Sequence, residues 1–205
     1  MKMKSKSPSG NQFIYNLNET KEQEKIGSFV NNNRKTVVVQ GLGFVGAAMA
    51  AALSNATNDS DEPIYNVIGV DLPDEKNYWK IGLVNESTPP VISTDESLKK
   101  AYHKAGEEGN LMATYSNYAY EVADIVVVDI HLDIHKKQLG IVKDYEFTFE
   151  NYKKAISEVA KKINEDTLVI IETTVPPGTT EKVVLPLFKD IFEKDLNYSY
   201  FNDLI

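Results

Sequence analysis

TVVVQ-GLGFVG-AAMAAALS, residues 36–54, passes from a β-branched run through three spaced glycines into a string of alanines. The first segment, 36–40, suits a strand buried on both faces. The loop that follows has the spacing Gly-x-Gly-x-x-Gly, and each glycine has its own task. Gly41 allows a tight turn, Gly43 lets a pyrophosphate approach the backbone, and Gly46 lets the next helix pack close to the sheet. That helix, expected over 46–54, opens with unpaired N–H groups and a partial positive charge, which suit phosphate. Gly41, Gly43, Phe44, Val45 and Gly46 are therefore the candidate cofactor-binding loop. Ala47, Ala48, Ala50, Ala51 and Ala52 keep the helix thin, and Val45, Met49 and Leu53 share one face of it.

Working outward, Tyr65–Val70 reads as a second strand and ends at Asp71, 25 residues beyond Gly46. A carboxylate there accepts hydrogen bonds from a ribose and repels a 2′-phosphate, so NAD is expected rather than NADP. Two more apolar runs, 124–130 and 167–171, read as strands, with 111–115 a weaker one. Tyr152, Ile156, Val159 and Ile163 form the stripe of an amphipathic helix, and a further helix is expected from 180 to about 193. Strands alternating with helices predict an α/β fold, a doubly wound, mainly parallel sheet of Rossmann type. Residues 1–33 read as a polar, partly disordered extension, with 1–11 unordered and a short helix near Glu19–Phe29. Residues 34–205 form the expected cofactor domain.

Composition narrows the function. The 205 residues carry 22 basic and 30 acidic side chains, a formal charge of −8, and Arg34 is the sole arginine. That balance argues against nucleic acid as a partner. The absence of cysteine from the sequence removes disulfides, thiolate metal sites and a cysteine nucleophile. No apolar run reaches the length of a membrane span, and no signal-peptide pattern follows Lys2, Lys4 and Lys6, so a cytoplasmic protein is expected. His131, Asp133 and His135 lie close in sequence without a further strong ligand nearby, and no metal is expected. The acidic runs 58–62 and 71–75 lack the spacing of a calcium loop. A GxxxxGK[ST] phosphate loop is absent, as is a tyrosine followed by lysine four residues on.

A second stretch, ETTVPPGTT at 172–180, resembles the Ser/Thr-Thr-Val-Pro-x-Gly-Thr signature of the UDP-glucose/GDP-mannose dehydrogenase family. Tyr78, Trp79, Lys80 and Ile81 through Asn85 to Pro90, then Gly109, Asn110 and Leu111, then Ala123 and Asp124, fall in that family's order. The resemblance implies an N-terminal NAD domain and a second domain that holds a nucleotide sugar, whose C6 alcohol is oxidised to a carboxylate. It also implies a homo-oligomer for the full-length enzyme. On the same ground Asp71 holds ribose, Lys76 lies near the adenosine end, and Thr174 helps to position a catalytic water. A hydroxyl at the carboxyl end of a strand suits that role, because it donates and accepts at once. The alternative is structural: Thr173 and Thr174 end a strand, and Thr179 or Thr180 caps the next helix.

Three departures qualify the resemblance. Leu132 and Asp133 stand where the family has Thr-Pro, and Ser87 replaces the glycine of Asn-x-Gly-x-x-Pro. The family's glutamate, lysine and nucleophilic cysteine come after the matching region, and this sequence has no cysteine. The chain thus reads as truncated at its C-terminus, with the substrate domain absent and the fragment inactive alone. A non-catalytic NAD-binding regulatory module, or another NAD-dependent dehydrogenase sharing the Rossmann half, are the alternatives.

Overall fold

The computed structural model describes residues 2–136 and 145–192, with backbone alone for 133–136 and 145–147. The chain divides into two compact units, Met1–His131 with Lys162–Thr173, and Leu132–Lys161 with Thr174–Ile205. No division falls at residue 34.

The first unit is built on five parallel strands: β3 (Lys35–Gln40), β4 (Tyr65–Val70), β5 (Leu111–Thr114), β6 (Ile125–Val128) and β9 (Leu168–Ile171). Their order across the sheet is β5-β4-β3-β6-β9. The centre is apolar because both faces are covered: Val37, Val38, Val39, Val67, Ile68, Val126, Val127 and Val128 are all buried. Each such side chain contributes roughly 1.5–3 kcal/mol on leaving water. The first unit also holds α2 (Phe44–Ser54), α3 (Tyr78–Asn85), α4 (Glu96–Glu108) and the short α5 (Tyr118–Glu121). In α2 the buried positions are Gly46, Ala47, Ala50, Ala51 and Ser54. Of the three larger residues that share one face, Val45 is exposed, and Met49 and Leu53 are partly buried and pack against the core cluster. Small side chains bring this helix onto the sheet, so its core face lacks large residues.

Several residues that carry the family resemblance act as ties. Asn85 makes a two-way amide clamp with Ala113, donating to its carbonyl at 2.9 Å and accepting from its N–H at 2.8 Å. Buried Asn110 donates to Ser54 O at 2.8 Å and Tyr65 O at 3.1 Å. Asp124 accepts from Thr36 N at 2.8 Å and from Lys35 Nζ at 2.5 Å. Ser87 adopts φ 56°, a left-handed conformation that suits the glycine it replaces.

The N-terminal segment differs from expectation. Residues 1–11 were expected to be unordered, yet β1 (Met3–Lys6) pairs antiparallel with β2 (Gln12–Tyr15). The hairpin docks on α3: a Cβ on Gly82 would lie 2.3 Å from Phe13 Cδ1, and Tyr15 stacks on Tyr78 with ring centroids 3.6 Å apart. Polar composition hid this order, because Ser5 and Ser7 occupy buried positions usually given to apolar residues. The helix expected nearby is present as α1 (Glu19–Phe29), capped by the Asn18 side chain.

The second unit contains the paired strands β7 (Asp133–Lys136) and β8 (Tyr145–Thr148), then α6 (Glu150–Ala160) and α7 (Leu185–Phe192). A π-helical turn, Thr180–Val184, leads into α7. Tyr152, Ile156 and Val159 of the predicted stripe are buried on α6, and Ile163 lies beyond the helix end. The side chains of Asp133 and His135, and the end of the helix expected to reach about 193, lie outside the described residues.

Two substitutions check this account. Tyr15→Ala removes a buried ring and should lower unfolding free energy by about 3 kcal/mol in a denaturant titration; an unchanged midpoint would mean that the hairpin is not docked. Ser87→Gly should raise it by about 1 kcal/mol, by relieving a side chain held at positive φ.

Candidate cofactor site

The chain leaves β3 for β4 on one side and later returns to β6 on the other. The strand order therefore reverses at β3, and the crevice beyond the ends of β3 and β6 is where such sheets bind ligands. The glycine loop lies there. Gly41 has φ +97°, and a Cβ on it would stand 2.2 Å from the Asp129 carbonyl oxygen. A Cβ on Gly46 would stand 1.9 Å from Gly41 O. Both positions require glycine for packing. Gly43 is different: no atom lies within 4 Å of its would-be Cβ. It is the N-cap of α2 and offers no side chain to the first-turn amides, while Phe44 and Val45 are 70% and 52% exposed. The loop thus presents an open cradle of backbone N–H groups at a helix N-terminus, which fits a diphosphate.

Asp71, at the end of β4, faces this loop. Its Oδ2 accepts from Leu42 N and from Lys80 Nζ, each at 3.0 Å, and its Oδ1 accepts from Leu72 N at 2.8 Å. A carboxylate has about four acceptor positions, so Oδ1 retains one for a ribose hydroxyl. The cation beside Asp71 is Lys80, and the Lys80 and Asp71 side chains are only 19% and 8% exposed. Lys76 is exposed, and its N–H donates to Asp74 Oδ1 at 2.9 Å. Lys80 was missed as a site residue, although it lies within the stretch 78–81 that carries the resemblance.

Two N-terminal elements hold the loops on this side. Ser5 Oγ donates to Glu75 O at 2.7 Å and accepts from Trp79 N at 3.0 Å, and Tyr15 OH donates to Pro73 O at 2.9 Å. From α1, Glu22 accepts from Thr114 Oγ1 at 2.8 Å, and Glu19 accepts from Ser116 Oγ. The loops after β4 and β5 are thereby pinned by residues that precede the first sheet strand.

Two further carboxylates were missed by sequence reasoning. Asp129 follows β6 and accepts a hydrogen bond from Gly46 N. Glu172 follows β9, and its Oε2 is buried without a hydrogen-bond partner among the described residues. Burial pushes both carboxyls above their ordinary range; the Asp129 charge adds to this at Glu172, and the Gly46 amide opposes it at Asp129. The available signal was an acidic residue interrupting the apolar run 125–130. Thr173 is a tie: its Oγ1 accepts from Ile130 N at 3.1 Å and lies 3.0 Å from Ile130 O. Thr174, in the second unit, is exposed. Thr179 holds the N-cap position but donates its hydroxyl to Pro176 O at 2.7 Å, without a side-chain cap bond.

A buried parallel strand leading into such a cradle, with an acid at the end of the neighbouring strand, defines a dinucleotide-binding domain. The chain belongs to the UDP-glucose/GDP-mannose dehydrogenase family, whose NAD binding domain matches residues 35–201. The cofactor of this domain is NAD. The chain is 28% identical over 155 residues to GDP-mannose 6-dehydrogenase of Pseudomonas aeruginosa, covering 75% of this chain and 32% of that protein. It is 30% identical over 165 residues to UDP-N-acetyl-D-mannosamine dehydrogenase of Methanocaldococcus jannaschii, covering 78% of this chain and 33% of that one. Among solved structures, a ternary complex of the P. aeruginosa GDP-mannose dehydrogenase matches with TM-score 0.60 and 26% identity, over 77% of this chain and 33% of that one. A dehydrogenase from Methanosarcina mazei matches in fold with TM-score 0.66 at 22% identity, over 85% of this chain and 34% of that one. The chain therefore spans about a third of the length of the relatives it matches.

The three glycines should separate by substitution. Gly46→Val drives a side chain into Gly41 O and should cost about 3 kcal/mol of stability. Gly43→Val meets open space, so it should leave the circular dichroism unchanged and abolish NAD binding in a calorimetric titration. Normal NAD binding by Gly43→Val would contradict the cradle.

Proposed function

We propose that this chain is the NAD-holding part of a nucleotide-sugar 6-dehydrogenase, which oxidises the C6 alcohol of a UDP- or GDP-sugar to the carboxylate. The match of residues 35–201 to the family's NAD binding domain carries this reading. The relatives' names support a nucleoside-diphosphate sugar as substrate. When bound, NAD supplies the hydride acceptor. The residues of this chain bind and orient it: in the loop Gly41, Gly43, Phe44, Val45 and Gly46, the backbone amides of Gly43, Phe44 and Val45 meet the diphosphate, while Gly41, whose N–H donates to Val70 O, and Gly46 shape the turn. Asp71 receives the adenosine ribose hydroxyls while Lys80 balances its charge, with Lys76 on the same loop at the adenosine end. The nearly buried Asp71 carboxylate excludes a 2′-phosphate, so NADP binds far more weakly. Thr174 orients a water near the reacting carbon.

The polypeptide of this sequence does not turn over nucleotide sugars alone, because it supplies no thiol for a covalent intermediate. The remaining machinery and the sugar pocket belong to a second domain, and the assembled enzyme is a cytoplasmic homo-oligomer that serves polysaccharide synthesis. Among the described residues, no helix is long and apolar enough to cross a membrane.

Two measurements test the reading. Calorimetry should show NAD bound and NADP bound at least tenfold more weakly, with Asp71→Asn costing about 1–3 kcal/mol in NAD affinity; equal affinity for both cofactors would refute the role of Asp71. Reduced-nicotinamide absorbance should not rise when purified chain and NAD meet UDP-glucose, UDP-N-acetylmannosamine or GDP-mannose. Sustained turnover would overturn the claim that this chain is inactive. NAD binding that persists without any effect on a supplied catalytic domain would favour a regulatory module.

A further inference from the structure

The glycine cradle already contains an anion-forming group. Asp129 leaves β6 beside Gly41, with its carbonyl against that glycine and its carboxylate against Gly46. Its Oδ2 lies 3.1 Å from the place a Gly46 Cβ would occupy, and the carboxylate accepts the Gly46 N–H. An ionised carboxylate is a reasonable guest there, because the helix N-terminus favours negative charge. A dinucleotide brings two further negative charges to the same turn of α2. The amides that face them are neutral, and the partial charge of one helix end is about half a unit.

No side-chain cation offsets this crowding among the described residues packed around Asp129. The first turn of α2 supplies Phe44 and Val45, and β3 ends in the neutral Gln40. The end of β9 supplies Glu172, a second acid whose Oε2 is buried without a hydrogen-bond partner. On its own strand, Asp129 is followed by Ile130 and the exposed His131. Lys80 is engaged at Asp71, on the far side of β3. An ionised Asp129 would therefore face the diphosphate and Glu172 with a single amide in compensation.

We propose that Asp129 enters the NAD complex as a neutral carboxylic acid, so that cofactor binding takes up one proton from solvent. The protonated group loses its repulsion and gains an O–H that donates toward a phosphate oxygen. Its raised tendency to hold a proton, caused first by burial, acts in the same direction. Asp129 is thus an affinity-determining residue of the cradle, and it makes NAD affinity depend on pH. This inference rests on the diphosphate lying on the glycine loop.

The sign follows from linkage: binding that takes up a proton weakens as pH rises through the titration of free Asp129. Above that point NAD affinity should fall about tenfold per pH unit, and below it should level off. Titration calorimetry of the whole chain with NAD, from about pH 5 to 9 in buffers of different ionisation enthalpy, should report uptake of about one proton per NAD on the alkaline limb. Asp129→Asn keeps the shape and a donor without a charge; it should bind NAD tightly across the range with no proton uptake. Adenosine, which has no phosphate, should bind with a flat profile. A flat NAD profile in the unmodified chain, or an undiminished slope in Asp129→Asn, would overturn the proposal while leaving the cradle intact. Failure of the underlying reading looks different: NAD would bind at no pH, or Gly43→Val would bind it normally.

Discussion

The first turn of α2 comes onto the sheet with Gly46 against the carbonyl of Gly41, an approach that a single methyl group would prevent. Much of the cofactor site depends on that contact. It puts the N-terminal amides of α2 over the end of β3, where the sheet reverses its strand order. The alanine-rich helix fits that approach, since Ala47, Ala50 and Ala51 are buried behind Gly46, Ala50 among Val37, Val39 and Val67 and Ala51 beside Leu42 and Tyr102. A bulkier helix would stand further from the strands and would withdraw its positive end from the crevice.

The rest of the first unit fixes what surrounds this cradle. Asp71 joins it directly, because its carboxylate holds the Leu42 amide inside the glycine loop. The loop after Asp71 is in turn held by Ser5 and Tyr15, and the end of β5 by Glu19 and Glu22. The N-terminal residues precede the region that matches the family, yet they secure the loops that follow β4 and β5. On the other side Thr173 ties the end of β9 to Ile130, which sets Asp129 and Glu172 next to each other.

The central strands were legible in the sequence because a parallel sheet covered on both faces demands unbroken apolar runs. Val37 to Val39, Val67 and Ile68, and Val126 to Val128 are such runs. The glycine loop was legible because Gly41 and Gly46 are fixed by close packing, while Gly43 keeps open the space in front of the helix N-terminus. The hairpin was not, since its buried positions include serines whose burial is satisfied by hydrogen bonds to Glu75, Trp79 and Ser9. The alanines of α2 were legible as a thin, close-packing helix, whereas the spacing of Val45, Met49 and Leu53 did not show that its buried face is Gly46, Ala47, Ala50, Ala51 and Ser54. Lys80, Asp129 and Glu172 reach the site through tertiary placement, because each lies at the end or flank of a different element. Family signatures such as Asn85, Asn110 and Asp124 proved to be structural ties, so resemblance located them without revealing what they do.

The account stands or falls on where NAD meets the chain. The direct measurement is backbone amide chemical-shift mapping of the isotopically labelled protein during titration with NAD. The largest changes are expected at Gly43, Phe44, Val45 and Gly46, with a second group at Asp71 and Leu72. Saturable shifts confined to some other surface, with those amides unmoved, would contradict it.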